Sequence, residues 1–145
     1  MGELKANGNR YTNGTGAAGG LRYAFLMFLN ATLRPGIDII LDEIGIEKAI
    51  SESDIVITGE GRLDSQTLMG KTPYGVASIA KRYNRTVYVY AGCFGDGVDE
   101  CMKSRLFDRC YSITEGLAAT PVTMAMKKEN AIKNLKDCVK KTCFT

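Results

Sequence analysis

The segment Gly59-Glu-Gly-Arg-Leu-Asp-Ser-Gln-Thr-Leu-Met-Gly-Lys71 is the densest collection in the chain of groups able to do chemistry. Glu60, Arg62, Asp64, Gln66 and Lys71 fall inside it, interleaved with Gly59, Gly61 and Gly70. Cations and backbone amides suit an anion such as phosphate, while carboxylates suit Mg²⁺ or the proton of a hydroxyl. Two cations beside two carboxylates are costly unless they pair or meet a ligand. The same residues therefore also read as a solvated loop with a local ion pair.

What the chain lacks narrows the chemistry further. Histidine is absent, which removes Ser-His and Cys-His catalysis and the commonest transition-metal ligand. Cys93, Cys101, Cys110, Cys138 and Cys143 form no C-x-x-C pair, so they read as small apolar fillers, neither a disulfide framework nor a thiolate zinc site. Gly14-Thr-Gly-Ala-Ala-Gly19 matches G-x-G-x-x-G, yet the polar residues before it form no strand, so a dinucleotide fingerprint is rejected. With Gly20, Gly19 still opens an apolar helix whose amides could face an anion, or else permits close helix packing. Gly70-Lys71-Thr72 resembles the end of a Walker A loop, but the glycine required five residues earlier is Ser65.

The elements that must position these groups follow from the apolar rhythm. Residues 1–15 are polar and Asn/Gly-rich and read as an irregular segment; residues 16–53 read as helical, with Leu21, Phe25 and Phe28 on one stripe and Arg34-Pro35-Gly36 as a stop. Ile37, Ile40, Leu41 and Ile44 predict a second helix ending at Gly45. From 54 to 145 the pattern is βαβαβα: strands at Asp54–Thr58, Val87–Ala91 and Cys110–Ile113, each followed by a helix. Thr72-Pro73 and Thr120-Pro121 predict two helix starts, and a helix is expected over Val98–Leu106. On the last helix Met124, Ile132, Leu135, Cys138 and Val139 are expected to face inward. Such alternation predicts an α/β fold with a parallel sheet covered on both faces, three layers in all, preceded by a helical segment. Ligands of such sheets sit beyond the carboxyl ends of the strands, where Gly59 and Gly92 fall.

Length and composition agree with that picture. The chain has 145 residues, 45% hydrophobic and 24% charged, room for one domain with a real core. A net charge of +3, with no block of like charges, gives no reason to invoke nucleic acid. No apolar run is long enough to span a membrane and no signal region opens the chain, so a cytoplasmic protein is expected.

Gly16-Ala-Ala-Gly-Gly-Leu21, Leu33-Arg-Pro-Gly-Ile37, Val56-Ile-Thr-Gly-Glu-Gly-Arg-Leu-Asp-Ser-Gln66 and Gly70-Lys71-x-Pro73-x-Gly75-Val-Ala77 closely resemble the carboxyl-terminal portion of the bacterial glycerate kinase family. The resemblance runs from about Gly14 to the end and leaves residues 1–13 unmatched. It implies a two-domain kinase with a flavodoxin-like or Rossmann-like sheet domain that transfers phosphate from ATP to D-glycerate in the cleft between domains. It further implies that the chain corresponds to the C-terminal portion of a longer enzyme. Under that resemblance Lys71 and Arg62 neutralise phosphate or the glycerate carboxylate, and Asp64 orients Mg²⁺ or the attacking hydroxyl, with Glu60 as the alternative Mg²⁺ ligand. Gly19, Gly20, Gly59 and Gly61 would donate amides, and Gln66 joins the substrate-binding set. Cys93 stands where the family leads one to expect serine. Two other readings stay open: a catalytically incompetent fragment or association module that needs an amino-terminal partner segment or a second copy, and a receiver-like switch phosphorylated on Asp54 or Asp64.

Overall fold

The computed structural model describes residues 20–32, 34–114 and 128–143. The chain divides into two compact units, Met1–Pro35 and Gly36–Thr145. In the first unit, α1 spans Leu21–Phe28, shorter than the apolar stripe predicts. It ends because Asn30 takes a left-handed conformation, φ 52°, which asparagine tolerates better than most residues.

The second unit opens with α2 (Gly36–Glu43) and α3 (Ile46–Ser51), separated by Gly45 at φ 61°. The first of these was expected with its terminal glycine; the second was not, since six residues carry too little periodicity to announce a helix. There follow β1 (Ile55–Leu63), a 3₁₀ helix (Ser65–Met69), α4 (Thr72–Arg82), β2 (Thr86–Phe94), α5 (Val98–Lys103), β3 (Arg109–Ser112) and α6 (Lys128–Cys143). The predicted helix start at Thr120-Pro121 and the inward position of Met124 lie outside the described residues.

The three strands form one parallel sheet in the order β1-β2-β3, so the fold is α/β as expected. Ile55 lies opposite Thr86 and Leu63 opposite Phe94; Tyr88 lies opposite Arg109 and Ala91 opposite Ser112. Val56, Val87, Val89 and Ala91 are buried with Val76, Ala77 and Ala80 of α4, Leu41 of α2 and Ile50 of α3 in a single core. Close packing of α2 on α4 depends on Gly75, where a Cβ would stand 2.6 Å from Ile37 Cγ1. Asp108 ties the layers together: its Oδ2 accepts from Lys81 Nζ and from the Val87 N–H, each at 2.6 Å.

The other sheet face carries aromatic residues. Tyr111 stacks on Tyr90 with ring centroids 5.0 Å apart and meets Tyr88 edge-on at 6.0 Å. Tyr90 also shares a 2.6 Å hydrogen bond with Thr142 of α6. Among the described residues cover on this face is incomplete, which corrects the expectation for the last helix. Cys138 and Val139 are half-buried, but Ile132 and Leu135 stand exposed, as does Ile57 of β1.

Candidate active site

Three elements meet at the carboxyl end of β1. The strand does not stop at Thr58, as its first glycine suggested, but pairs with β2 as far as Leu63. Glu60 and Arg62 are therefore strand residues two apart on one face, not members of a loop. Glycine serves that pairing at Gly59, where a Cβ would stand 2.5 Å from the Tyr90 carbonyl oxygen. Its presence is explained by the close strand approach before any ligand is invoked.

After Leu63 the chain turns into the 3₁₀ helix with Asp64 as its cap. Asp64 Oδ1 accepts from the Gln66 N–H at 3.0 Å, and the Asp64 N–H donates to Thr67 Oγ1 at 3.2 Å. The turn is fastened to the β2–α5 connection by Gly95 N–H to Leu63 O at 2.8 Å and Ser65 N–H to Asp96 O at 3.1 Å. The Cys101 thiol donates to Asp64 O from behind at 3.2 Å. Gly70, at φ 97°, then swings the chain so that Lys71 precedes α4. Thr72 proves to be the first helical residue, not the cap, and no side chain caps that helix end.

These connections bring Glu60, Asp64 and Lys71 together. Lys71 Nζ lies 3.0 Å from Asp64 Oδ1 and 3.8 Å from Glu60 Oε2. Both carboxylates are half-buried, at 15% and 18% side-chain exposure, and the ammonium lies beside both. The hydrogen bond from Lys71 holds the Asp64 carboxyl below the ordinary carboxylate value, with the Gln66 N–H and Arg62 acting in the same direction against burial. Arg62 stands at the margin: its Nε is 3.8 Å from Asp64 Oδ2, its side chain is 57% exposed, and its guanidinium lies against Gly95. Gln66 contributes its backbone N–H to the Asp64 cap while the residue itself stays exposed. Gly61 lies on β1 with open space where a Cβ would be. Gly20 belongs to the other unit, and Gly19 lies outside the described residues.

Thr67 escaped sequence reasoning. It is fully buried, and its hydroxyl donates to Glu60 Oε1 at 2.5 Å. The Asp64-x-x-Thr67 spacing across a helix start was the available signal, since cap and third-position side chains commonly bond each other's backbone.

Two clefts open on Glu60. One, of about 440 Å³, is lined by Ile37, Ile40, Gly59, Gly70, Lys71, Thr72 and Pro73 as well as Glu60. The other, of about 500 Å³, is mostly apolar, with Ile57, Tyr90, Leu135 and Val139 among its walls. A third, of about 290 Å³ between Tyr111 and α6, holds none of the charged set. Two of the cysteines behave as fillers: Cys101 is buried, and burial pushes the Cys110 thiol up to about 11. Among the described residues no three His, Cys, Asp or Glu gather as a metal cage, and no helix is long and apolar enough to cross a membrane.

Residues 3–143 match the sequence model of the glycerate kinase family, so the similarity begins well before Gly14, further toward the start than the motifs alone suggested. A glycerate kinase of Bacillus subtilis (strain 168) is 45% identical over 107 residues, 74% of this chain and 28% of that protein. The glycerate 2-kinase of Escherichia coli (strain K12) is 47% identical over 85 residues, 59% of this chain and 22% of that protein. A crystal structure of a glycerate kinase 2 from Salmonella typhimurium LT2 superposes with a TM-score of 0.51 at 43% identity, over 68% of this chain and 23% of that one. The chain thus spans about a quarter of the length of these relatives. With a parallel α/β sheet, a charged cluster at a strand's carboxyl end and a match over nearly its whole length, the chain belongs to the glycerate kinase family.

Proposed function

We propose that the cluster at the end of β1 serves phosphoryl transfer from ATP to a hydroxyl of D-glycerate. The observation that carries this reading is the Lys71 ammonium, held between Asp64 and Glu60 at the edge of a cleft and only partly covered. Phosphoryl transfer asks the protein mainly for positioning and for charge aimed at the moving group. Lys71, with Arg62 at the rim, supplies positive charge for a phosphate or the glycerate carboxylate. Asp64, hydrogen-bonded to Lys71, orients the acceptor hydroxyl. Glu60 lines the cleft beside it.

Mg²⁺ fits this donor set in a limited way. Two carboxylates with an ammonium between them do not make a closed cage, but Mg²⁺ commonly takes one or two carboxylates and completes its shell with substrate phosphate and water. Asp64 and Glu60 would hold it, and it would supply charge neutralisation at the phosphates. The name of the Escherichia coli relative points the transfer to the 2-hydroxyl.

A second reading is favoured by the span of about a quarter of the relatives' length and by the exposed Ile57, Ile132 and Leu135. Under it the chain is an association module that turns over only with an amino-terminal partner. An assay with ATP, Mg²⁺ and D-glycerate separates the two, run on the purified chain with and without the amino-terminal portion of the Bacillus subtilis glycerate kinase. Phosphoglycerate from the chain alone supports the first reading. Product only in the mixture supports the second, and product in neither overturns both.

A further inference from the structure

We propose that Thr67 is a positioning residue that sets the Glu60 carboxylate against Lys71; the consequence for turnover rests on the phosphoryl-transfer reading above. A hydroxyl has one proton to give. The Thr67 oxygen already accepts the Asp64 N–H at 3.2 Å and its hydroxyl donates to Glu60 Oε1 at 2.5 Å, with the Cys101 thiol also within side-chain hydrogen-bond reach of it. The two oxygens of Glu60 are thereby assigned different partners: a buried hydroxyl behind, through Oε1, and the Lys71 ammonium in front, 3.8 Å from Oε2.

The same hydroxyl fixes the second carboxylate through its backbone. Asp64 is held by its own N–H to Thr67 Oγ1, while its side chain reaches Lys71 at 3.0 Å. One buried oxygen therefore sets the spacing of both carboxylates around a single ammonium. Thr67 has no exposed surface and lines none of the three clefts described above, so it acts through Glu60 and Asp64, not on substrate. Beside the cap bond to its hydroxyl, two backbone bonds hold the turn without it: Thr67 N–H to Asp64 O at 3.0 Å and Lys71 N–H to Thr67 O at 3.4 Å. Removing the side-chain oxygen can thus be distinguished from breaking the turn.

The test compares Thr67→Val, which keeps the shape and loses the hydroxyl, with Thr67→Ser, which keeps the hydroxyl. Carboxyl-carbon NMR of the full chain reads Glu60, and amide spectra report whether each variant folds. Thr67→Val is expected to move the Glu60 carboxyl resonance and the Asp64 amide, and Thr67→Ser to leave both near their original positions. In the assay above, run in whichever form turns over, Thr67→Val should lower kcat on the order of 10–100-fold with KM changed by less than about threefold, and Thr67→Ser should restore kcat. An unmoved Glu60 resonance in Thr67→Val overturns the inference. So does a moved resonance with unchanged kcat, or an equal loss in both variants that tracks the folded fraction. If the unaltered chain turns over in neither form, the reaction assigned above fails, and the Glu60 resonance alone decides whether Thr67 holds that carboxylate.

Discussion

Lys71 is the only ammonium within reach of both Asp64 and Glu60 among the described residues, so removing it should be felt in the titration of its neighbour. Asp64 sits below the ordinary carboxylate value chiefly because Lys71 donates to it. A carboxyl depressed in the folded state contributes stability above its unfolded value, near 3.9, and that contribution is lost as pH falls through the lower folded value. Lys71→Met should raise the Asp64 midpoint towards about 3.9, read by carboxyl-carbon NMR. A midpoint that stays low in that variant would show that Lys71 is not what depresses the Asp64 value. At this scale Glu60, Asp64 and Lys71 were legible because charged types crowded into thirteen residues announce themselves. Thr67 was not, because a threonine is neutral and common, and its role arises only when burial sets its hydroxyl against Asp64, Glu60 and Cys101.

Strands, helices and the turns between them were readable where side-chain type and period agreed. Val87-Tyr-Val-Tyr-Ala91 alternates and is a strand; Pro73 opens α4; Gly45 closes α2. The extension of β1 through Gly59 and Gly61 was not readable, since glycine argues locally for a loop and only pairing with Tyr90 and Ala91 on β2 overrides it. That override matters to the site because it converts a flexible-looking segment into a rigid strand bearing Glu60. Asp108 offers a test of how the elements are joined, being bonded to both α4 and β2. Burial pushes its carboxyl up, but the Lys81 ammonium and the Val87 N–H outweigh burial and leave it below the usual range. Its contribution is therefore complete above the unfolded carboxylate value and lost as pH falls through the folded one. Asp108→Asn should lower Tm at neutral pH and make the acid limb of Tm against pH, below about pH 5, shallower than in the unaltered chain. Equal slopes in the two proteins would rule out Asp108 as a source of acid lability.

Considered as a whole, the second unit has one well-buried face and one that is not. Val56, Val87 and Val89 are sealed by α2, α3 and α4, whereas Ile57, Ile132 and Leu135 remain 57%, 48% and 42% exposed. The last helix was expected to bury that stripe. It meets the sheet through Tyr90 and Thr142 toward its carboxyl end and leaves its earlier apolar residues uncovered, which no helical period can foretell because the partner surface is not in the period. Ile57 also sits on β1, one of the two outer strands of the sheet among the described residues. Apolar side chains beside an open strand edge favour association, and the association should be weakened by a single charge placed there. Ile57→Lys is the suitable change, since its side chain already faces solvent and the core behind it is made by Val56. Sedimentation velocity over a concentration series should show the unaltered chain shifting to larger species as concentration rises and Ile57→Lys shifting less, with Tm within a few degrees of the original, as expected for an exposed position. If both proteins sediment as the same monomer across the series, the exposed face does not drive self-association. A Tm that collapses in the variant would instead show that Ile57 is packed in solution.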